Sequence, residues 1–332
     1  MKILFVVQGY DSPSSRYRVL QYLPYLEQEG VETTVATYPK DVRDSAKLYR
    51  NVGEHDLVFF QRKRPGPLFL GLVRQRARGM VYDFDDAIMY RNSKASSPHS
   101  TTRERRFAQI VKAADHVIAG NAFLRDQARK YTSQVTVIPT AIDMGRYALR
   151  QHVRKKKVTI GWIGSRSTLP YLSSIRDVFE ELGRRYDNVE LKIICDSFFD
   201  CKNIPVIKKK WNEGEEIEDL TTLDIGVMPL SNDPWSWGKC GLKILQYYGV
   251  GVPVVCTPVG INRDVVCEGV NGFWATTSTG WVEKLGTLIE DPRLRQEMGM
   301  RGRQLVKESF SVNVCAKNLY QVLEEVCRRR AE

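Results

Sequence analysis

The sequence predicts an α/β protein made of two parallel-sheet halves, and three observations carry that prediction. Short apolar runs alternate with helix-length stretches from end to end, the pattern of parallel strands crossed over by helices. The pattern restarts at residue 158, after a polar and basic stretch at 152–157. Each half opens with a strand-like run followed by a loop of small residues: Lys2 to Gln8 then Gly9 to Ser15, and Val158 to Ile163 then Gly164 to Thr168. Two Rossmann-like domains facing each other across a cleft follow from this, with ligands expected at the carboxyl ends of the strands in that cleft. A length of 332 residues fits two domains.

In chain order, Lys2 to Gln8 is the first strand, and a helix is expected from about Arg16 to Glu29, closed by Gly30. Strands follow at Glu32 to Thr37, Asp56 to Phe60 and Gly79 to Tyr82, the last running into Asp83-Phe84-Asp85-Asp86. A basic helix spans about Thr101 to Ala113, a strand Asp115 to Ala119, a helix Asn121 to Lys130 capped by Asn121, and a strand Val135 to Pro139. The second half gives strands at Val158 to Ile163, Val189 to Cys195, Leu223 to Met228 and Val252 to Cys256, with a helix at Tyr171 to Arg185. The last helix, about Val312 to Arg330, places Val314, Leu319, Val322, Leu323 and Val326 on an apolar stripe. The expected divisions are 1–151, 152–310 and a C-terminal helix, 311–332.

Composition excludes several classes. With 42% hydrophobic and 27% charged residues the chain has a core to bury and is not disordered. No run of about 18 apolar residues is present, and the run Ile3 to Val7 is too short for a signal peptide. The seven cysteines are odd in number, scattered and without zinc spacing, which fits a reducing cytoplasm and no structural metal. The net charge of +11 is uneven: residues 1–150 carry 24 Lys and Arg against 15 Asp and Glu, and residues 151–332 carry 26 against 24. The excess lies in Arg62-Lys63-Arg64, Arg74/Arg76/Arg78 and Arg103/Arg105/Arg106, which points to an anionic surface, lipid headgroups before nucleic acid because the clusters lack interleaved aromatics.

The stretch Gly238 to Asp264 reads as helix, turn, strand and polar loop. Lys239, Lys243 and Gln246 recur at helical spacing and are expected on one face, beside the loop Thr257-Pro258-Val259-Gly260 that leaves the strand. Two ammonium groups and an amide so placed suit a phosphorylated ligand, whereas the alternative is a solvated lysine face. Asp83, Asp85 and Asp86 form the densest acidic cluster of a basic half; Asp85 or Asp86 would orient an acceptor hydroxyl or assist its deprotonation, unless they serve as a helix cap and an arginine partner. Arg16 and Arg18 follow the first strand's loop and would hold an acceptor phosphate. Trp235 and Trp237 would wall a sugar pocket, and Trp211 would stack on a base or pack in the core.

VYDFDDA (81–87), VIAGNAFLRDQA (117–128), VTVIPTAID (135–143), IGWIGSRSTLPYL (160–172), LDIGVMPL (223–230) and GKCGLKILQYYGVGVPVVCTPVG (238–260) occur in this order and spacing. Through them nearly the whole chain resembles the family 4 glycosyltransferases, which are retaining, use a nucleotide-sugar donor and have the GT-B fold. The resemblance implies that the first domain receives the acceptor, that the second holds the donor, and that the last helix returns to the first domain. The family's two donor-helix glutamates fall at Gly238 and Gln246, its catalytic-site histidine falls in the region of Asp85-Asp86, and its diphosphate-binding arginine falls at Ser165. Arg166, Lys239 and Lys243 read as substitutes, as in a divergent branch with lysines on the helix. Gly164 and Ser165 would bring their backbone close to a phosphate.

The expected function is therefore a retaining, metal-independent transfer from a nucleotide-diphosphate sugar to a glycan or lipid-linked acceptor, in cell-surface polysaccharide synthesis. The protein would be cytoplasmic, peripheral on the inner membrane face, and without a cofactor. Two other readings stay open: a nucleotide-sugar 2-epimerase on the same fold, and a nucleotide-sugar-binding module without transfer activity.

Overall fold

The structure, a computed structural model, describes residues 1–150 and 156–331, so most of the linker expected at 152–157 lies outside the described residues. The chain forms two compact α/β units. The first comprises Met1–Ala141, Asp233–Cys240 and Val312–Glu332, and the second comprises Ile142–Asn232 and Gly241–Ser311. Among the described residues no helix is long and apolar enough to cross a membrane.

The first unit holds six parallel strands: β1 (Lys2–Val7), β2 (Glu32–Thr37), β3 (Leu57–Gln61), β4 (Gly79–Phe84), β5 (His116–Ala119) and β6 (Val135–Val137), in the order β2-β1-β3-β4-β5-β6. Strand alternation builds two cores. Ile3, Phe5, Leu57 and Phe59 face Tyr22, Leu26 and the last helix, Val312–Ala331. Leu4, Val6, Val58 and Phe60 face the helices Val42–Val52, Pro67–Arg76 and Thr101–Ala113 through Leu48, Leu70 and Phe107. The chain changes sheet face between β1 and β3, so their carboxyl ends diverge and open a crevice at a topological switch point.

The second unit holds β7 (Val158–Ile163), β8 (Val189–Cys195), β9 (Val206–Lys210), β10 (Ile225–Met228), β11 (Val254–Cys256) and β12 (Gly272–Trp274), all parallel, in the order β12-β11-β10-β7-β8-β9. This is the dinucleotide-fold order, and its switch point lies between β7 and β10. One face packs Ile160, Trp162 and Ile193 on Phe179, Leu182 and Leu285. On the other face the Leu242–Gly249 helix is pinned at the switch point by Tyr247, whose hydroxyl accepts from Ile163 N at 3.0 Å and donates to Val227 O at 3.4 Å.

Three elements differ from the sequence reading. The helix expected over Arg16 to Glu29 is broken into Pro13–Arg18, a 3-10 turn at Leu20–Tyr22, and Leu23–Gln28, because Pro24 suits only a helix's first turn. Val314 is 36% exposed, whereas Leu319, Val322, Leu323 and Val326 are buried as expected and Cys315 and Ala316 complete the apolar face of the last helix. The run Val206–Lys210, not among the expected strands, is the edge strand β9, whose lysines blunt the open edge.

A Cβ at Gly226 would lie 2.5 Å from the Tyr247 ring. Gly226→Val should therefore destabilise the protein by about 1–3 kcal/mol in urea unfolding, by displacing the ring that fixes the Leu242–Gly249 helix.

Candidate active site

The first unit gathers charge at the carboxyl ends of β3 and β4. Arg62 follows β3 with φ 62°, the one non-glycine residue among those described that has a positive φ. That left-handed conformation costs a bulky side chain about 1–3 kcal/mol and persists only where surroundings hold it. Here Arg62 N donates to Asp83 O at 2.7 Å, and the Tyr82 hydroxyl donates to Arg62 O at 3.3 Å. The turn aims the guanidinium at the acidic pair beyond β4: it bonds Asp86 Oδ2 and lies 3.8 Å from Asp85 Oδ1. Lys239 Nζ takes the other oxygen, Asp86 Oδ1, at 2.8 Å, while lying 4.6 Å from the centre of the Trp235 ring.

Asp86 is thus bound on both oxygens, but Asp85 is not. Its Oδ1 is buried without a hydrogen bond, and its side chain stays 15% exposed. Burial pushes the Asp85 carboxyl above the ordinary carboxylate range; Arg62 opposes this, and the Asp86 charge adds to it. A raised, under-bonded carboxyl at a strand end is the arrangement expected of a group that takes a proton or hydrogen bond from a ligand.

Several sequence expectations are corrected here. Lys239 is not on a helical face with Lys243 and Gln246. Gly241, at φ 68°, is the cap of the Leu242–Gly249 helix, so the chain turns before that helix starts. The segment Asp233–Cys240 is part of the first unit, where Asn121 Nδ2 donates to Trp237 O (3.1 Å) and Lys239 O (3.0 Å), and Cys240 Sγ donates to Asp85 O at 3.2 Å. Asn121 also caps its helix, accepting from Leu124 N at 2.8 Å. Trp235 and Trp237 pack within this unit, Trp237 edge-on to Phe123 at 5.5 Å. A side chain at Gly238 would meet Ala87 at 2.5 Å, so no carboxylate fits there.

Arg18 and Asp83 are not presented to a ligand either. Both side chains are 1% exposed, and the guanidinium bonds both carboxylate oxygens, with Nε to Oδ2 at 3.2 Å. Burial disfavours both charges. It pushes Asp83 up to about 6, but Asp83 outweighs it at Arg18, whose pKa is raised, so both are ionised at neutral pH. Arg16 lies half-buried with its guanidinium on the Tyr17 hydroxyl at 3.2 Å.

The second unit gathers its candidates at the switch point between β7 and β10. Lys243, in the first turn of the Leu242–Gly249 helix, holds Nζ 5.6 Å from the centre of the Trp162 ring, and that ring lies 2.3 Å from where a Cβ on Gly164 would be. Lys243, Trp162 and Gly164 therefore meet at the end of β7. Gly241 provides no side-chain cap to this helix, and its carbonyl accepts from Ile244 N (2.9 Å) and Leu245 N (3.2 Å). The backbone amides of the loop after β7 are hydrogen-bonded within the unit. Gly164 N donates to Ile194 O (3.0 Å), Ser165 N to Thr168 Oγ1 (3.1 Å) and Arg166 N to Asp196 Oδ1 (2.7 Å). Glycine is required at 164 by the tryptophan packed against it. The exposed parts of this loop are the Ser165 and Ser167 hydroxyls, 2.8 Å apart, and the Arg166 side chain.

Gln246 is buried, and so is Val259. Gly260 turns the loop after β11 at φ 56°, and that loop is tied to β10 by Leu230 N, which donates to Thr257 Oγ1 at 3.2 Å. Trp211 donates through Nε1 to Glu216 at 2.8 Å. Sequence reasoning missed Arg62 as a site residue, because it stood in a run of three basic residues and nothing in the run marked the left-handed turn.

Two Rossmann-like units, with charged groups collected at the carboxyl ends of their strands, have the architecture of the GT-B fold. The comparisons with known proteins agree with this. Residues 202–305, most of them in the second unit, match the family described as Glycosyl transferases group 1. No curated protein sequence matches the chain. Among solved structures, Anabaena Alr3699/HepE, crystallised with UDP and glucose, superposes with a TM-score of 0.73 at 16% identity, over 98% of this chain and 99% of that one. Sucrose-phosphate synthase from Thermosynechococcus elongatus gives 0.73 at 13% identity, over 98% of both chains. A glycosyltransferase from Rickettsia africae gives 0.71 at 14%, over 98% of both chains. At such identities the structural likeness is one of fold.

Removing the Arg18 side chain would leave a buried, unpaired carboxylate. Arg18→Ala should cost about 3–5 kcal/mol in denaturant unfolding, a loss of folding rather than of acceptor affinity.

Proposed function

We propose that this protein is a retaining, metal-independent glycosyltransferase that moves a sugar from a nucleotide-diphosphate donor onto a glycan or lipid-linked acceptor, in the synthesis of a cell-surface polysaccharide at an anionic membrane face. The observation that carries the reading is the division of charge: Lys243 and Arg166 in the unit that holds most of the match to the glycosyl transferases group 1 family, and an under-bonded carboxyl in the other.

In this reading the second unit binds the donor. Transfer leaves a nucleoside diphosphate whose negative charge grows as the glycosidic bond breaks, and fixed cations beside a helix amino terminus stabilise that charge without reorganising. Lys243 is held in place through its helix, which Tyr247 fixes to β7 and β10. Arg166 and the Ser165 hydroxyl extend the site from the loop after β7, while the amide expected to hold the donor ribose, Gln246, is buried. The first unit binds the acceptor. Asp85 receives a hydrogen bond from the acceptor hydroxyl and assists its deprotonation, while Asp86 serves the structure by binding Arg62 and Lys239.

Lys243→Ala should lower UDP-sugar turnover about tenfold or more, with weaker protection of the protein by UDP in thermal unfolding. Unchanged turnover and unchanged UDP protection in that variant would remove the donor assignment.

Asp85→Asn should lower kcat by about 100-fold or more, at the low end of what a positioned acid or base contributes. The wild-type rate should rise with pH as Asp85 loses its proton, with the midpoint above the ordinary carboxylate value of 3.8 because burial favours the protonated form. That limb should disappear in Asp85→Asn, and a profile with the same limb in both proteins would exclude Asp85 as its source.

A further inference from the structure

The helical layer of the first unit that covers Leu4, Val6 and Phe60 carries an outer face that the proposed chemistry does not use. On the Pro67–Arg76 helix, Leu68 is 87% exposed and Leu72 is 50% exposed. They lie four residues apart, one above the other, with exposed Arg76 a further four along the same face. Gly71 between them has open space where a side chain would be. Two large apolar side chains held out into water gain nothing for the fold of this unit.

The surroundings are cationic. The neighbouring Thr101–Ala113 helix exposes Arg105 and Arg106, which have no carboxylate partner among the described residues. Lys63, just before the leucine helix, rests on the Tyr38 ring at 5.6 Å, again without a carboxylate. Arg64 bonds the carbonyls of Ile88 (2.7 Å) and Arg103 (3.4 Å) rather than an acid. The acids of this layer, Asp41, Asp44 and Glu104, sit in the first turns or caps of their helices. In parallel α/β topology the amino ends of these helices lie at the carboxyl edge of the sheet, so this surface borders the edge that carries Asp85.

We infer that this face docks on an anionic bilayer, with Leu68 and Leu72 entering the interface and Lys63, Arg76, Arg105 and Arg106 on the headgroups. The pairing of apolar tips with unneutralised cations selects the occupant. A lipid surface supplies both an apolar layer and negative charge, whereas a nucleic acid would meet the cations and leave the Leu68 and Leu72 tips in water. The inference rests on the proposed lipid-linked acceptor and deepens it, since docking would bring such an acceptor to the edge beside Asp85.

The test is co-sedimentation of the full chain, without donor, with phosphatidylcholine vesicles and with vesicles that also contain phosphatidylglycerol, at low and high salt. Binding is expected on the anionic vesicles alone and should weaken with salt. Leu68→Ser/Leu72→Ser and Arg105→Glu/Arg106→Glu should each reduce partitioning by about tenfold or more, with the urea midpoint unchanged in both. Failure of the wild type to bind anionic vesicles, equal binding to neutral ones, or undiminished binding of the leucine variant would each overturn the proposal, as would tighter binding to RNA than to vesicles at the same salt. UDP-sugar hydrolysis, measured in parallel, separates the two claims: lost vesicle binding with intact turnover removes the docking surface alone, and intact vesicle binding without turnover removes the enzymatic reading alone.

Discussion

The carboxylate of Asp86 lies between two cations, Arg62 on one oxygen and Lys239 on the other, and the carboxyl edge of the first sheet depends on that arrangement. A surface pair would contribute about 0–1 kcal/mol, and breaking a fully buried one costs about 3–5 kcal/mol. With side chains 13–24% exposed, this group lies between those regimes. Three features follow from it. Arg62 keeps a left-handed backbone that an unpaired arginine would abandon. The segment Asp233–Cys240 is fastened to the first unit, with Asn121 and Cys240 adding hydrogen bonds to the same attachment. Asp85, next to a saturated neighbour and far enough from Arg62 to lack a hydrogen bond, is left as the carboxyl with capacity to spare.

The lysine-bearing stretch is two structures joined at Gly241. Before that glycine, Trp235, Gly238, Lys239 and Cys240 serve the first unit; after it, Lys243, Gln246 and Tyr247 serve the second. A single left-handed residue thereby divides two lysines four apart between two tasks, ion pairing with Asp86 and a place beside Trp162 and Gly164. This gives a physical reason for the missing carboxylate at position 238. The backbone there runs against Ala87, and the ammonium next to it already has its counter-charge in the same unit.

Much of the fold was legible because it rests on local chemistry. Buried parallel strands are apolar runs, so Val158–Ile163 and Val189–Cys195 stand where the sequence put them, as do the half-exposed edge strand Glu32–Thr37 and the capped helix after Asn121. The break at Pro24 was legible in principle, since proline cannot continue a helix already under way. The site was less so. Periodicity placed Lys239 and Lys243 on one face because it cannot see the φ of Gly241. The acidic cluster was visible, but its partners were not: Arg18 meets Asp83, and Arg62 meets Asp86, across 65 and 24 residues of sequence. Long-range pairing of that kind is a property of the sheet order, which a linear pattern does not encode.

The central claim is that Lys239 and Asp86 form a structural pair, which leaves Asp85 and Lys243 to the ligands. The most direct measurement is a double-mutant cycle in urea unfolding with Asp86→Asn, Lys239→Met and the combined variant. The account predicts that the two substitutions are coupled by about 1–3 kcal/mol, the double variant losing less than the sum of the singles. Additivity within about 0.5 kcal/mol would contradict it, because the ammonium of Lys239 would then be bonded elsewhere and the division of the two lysines at Gly241 would not hold.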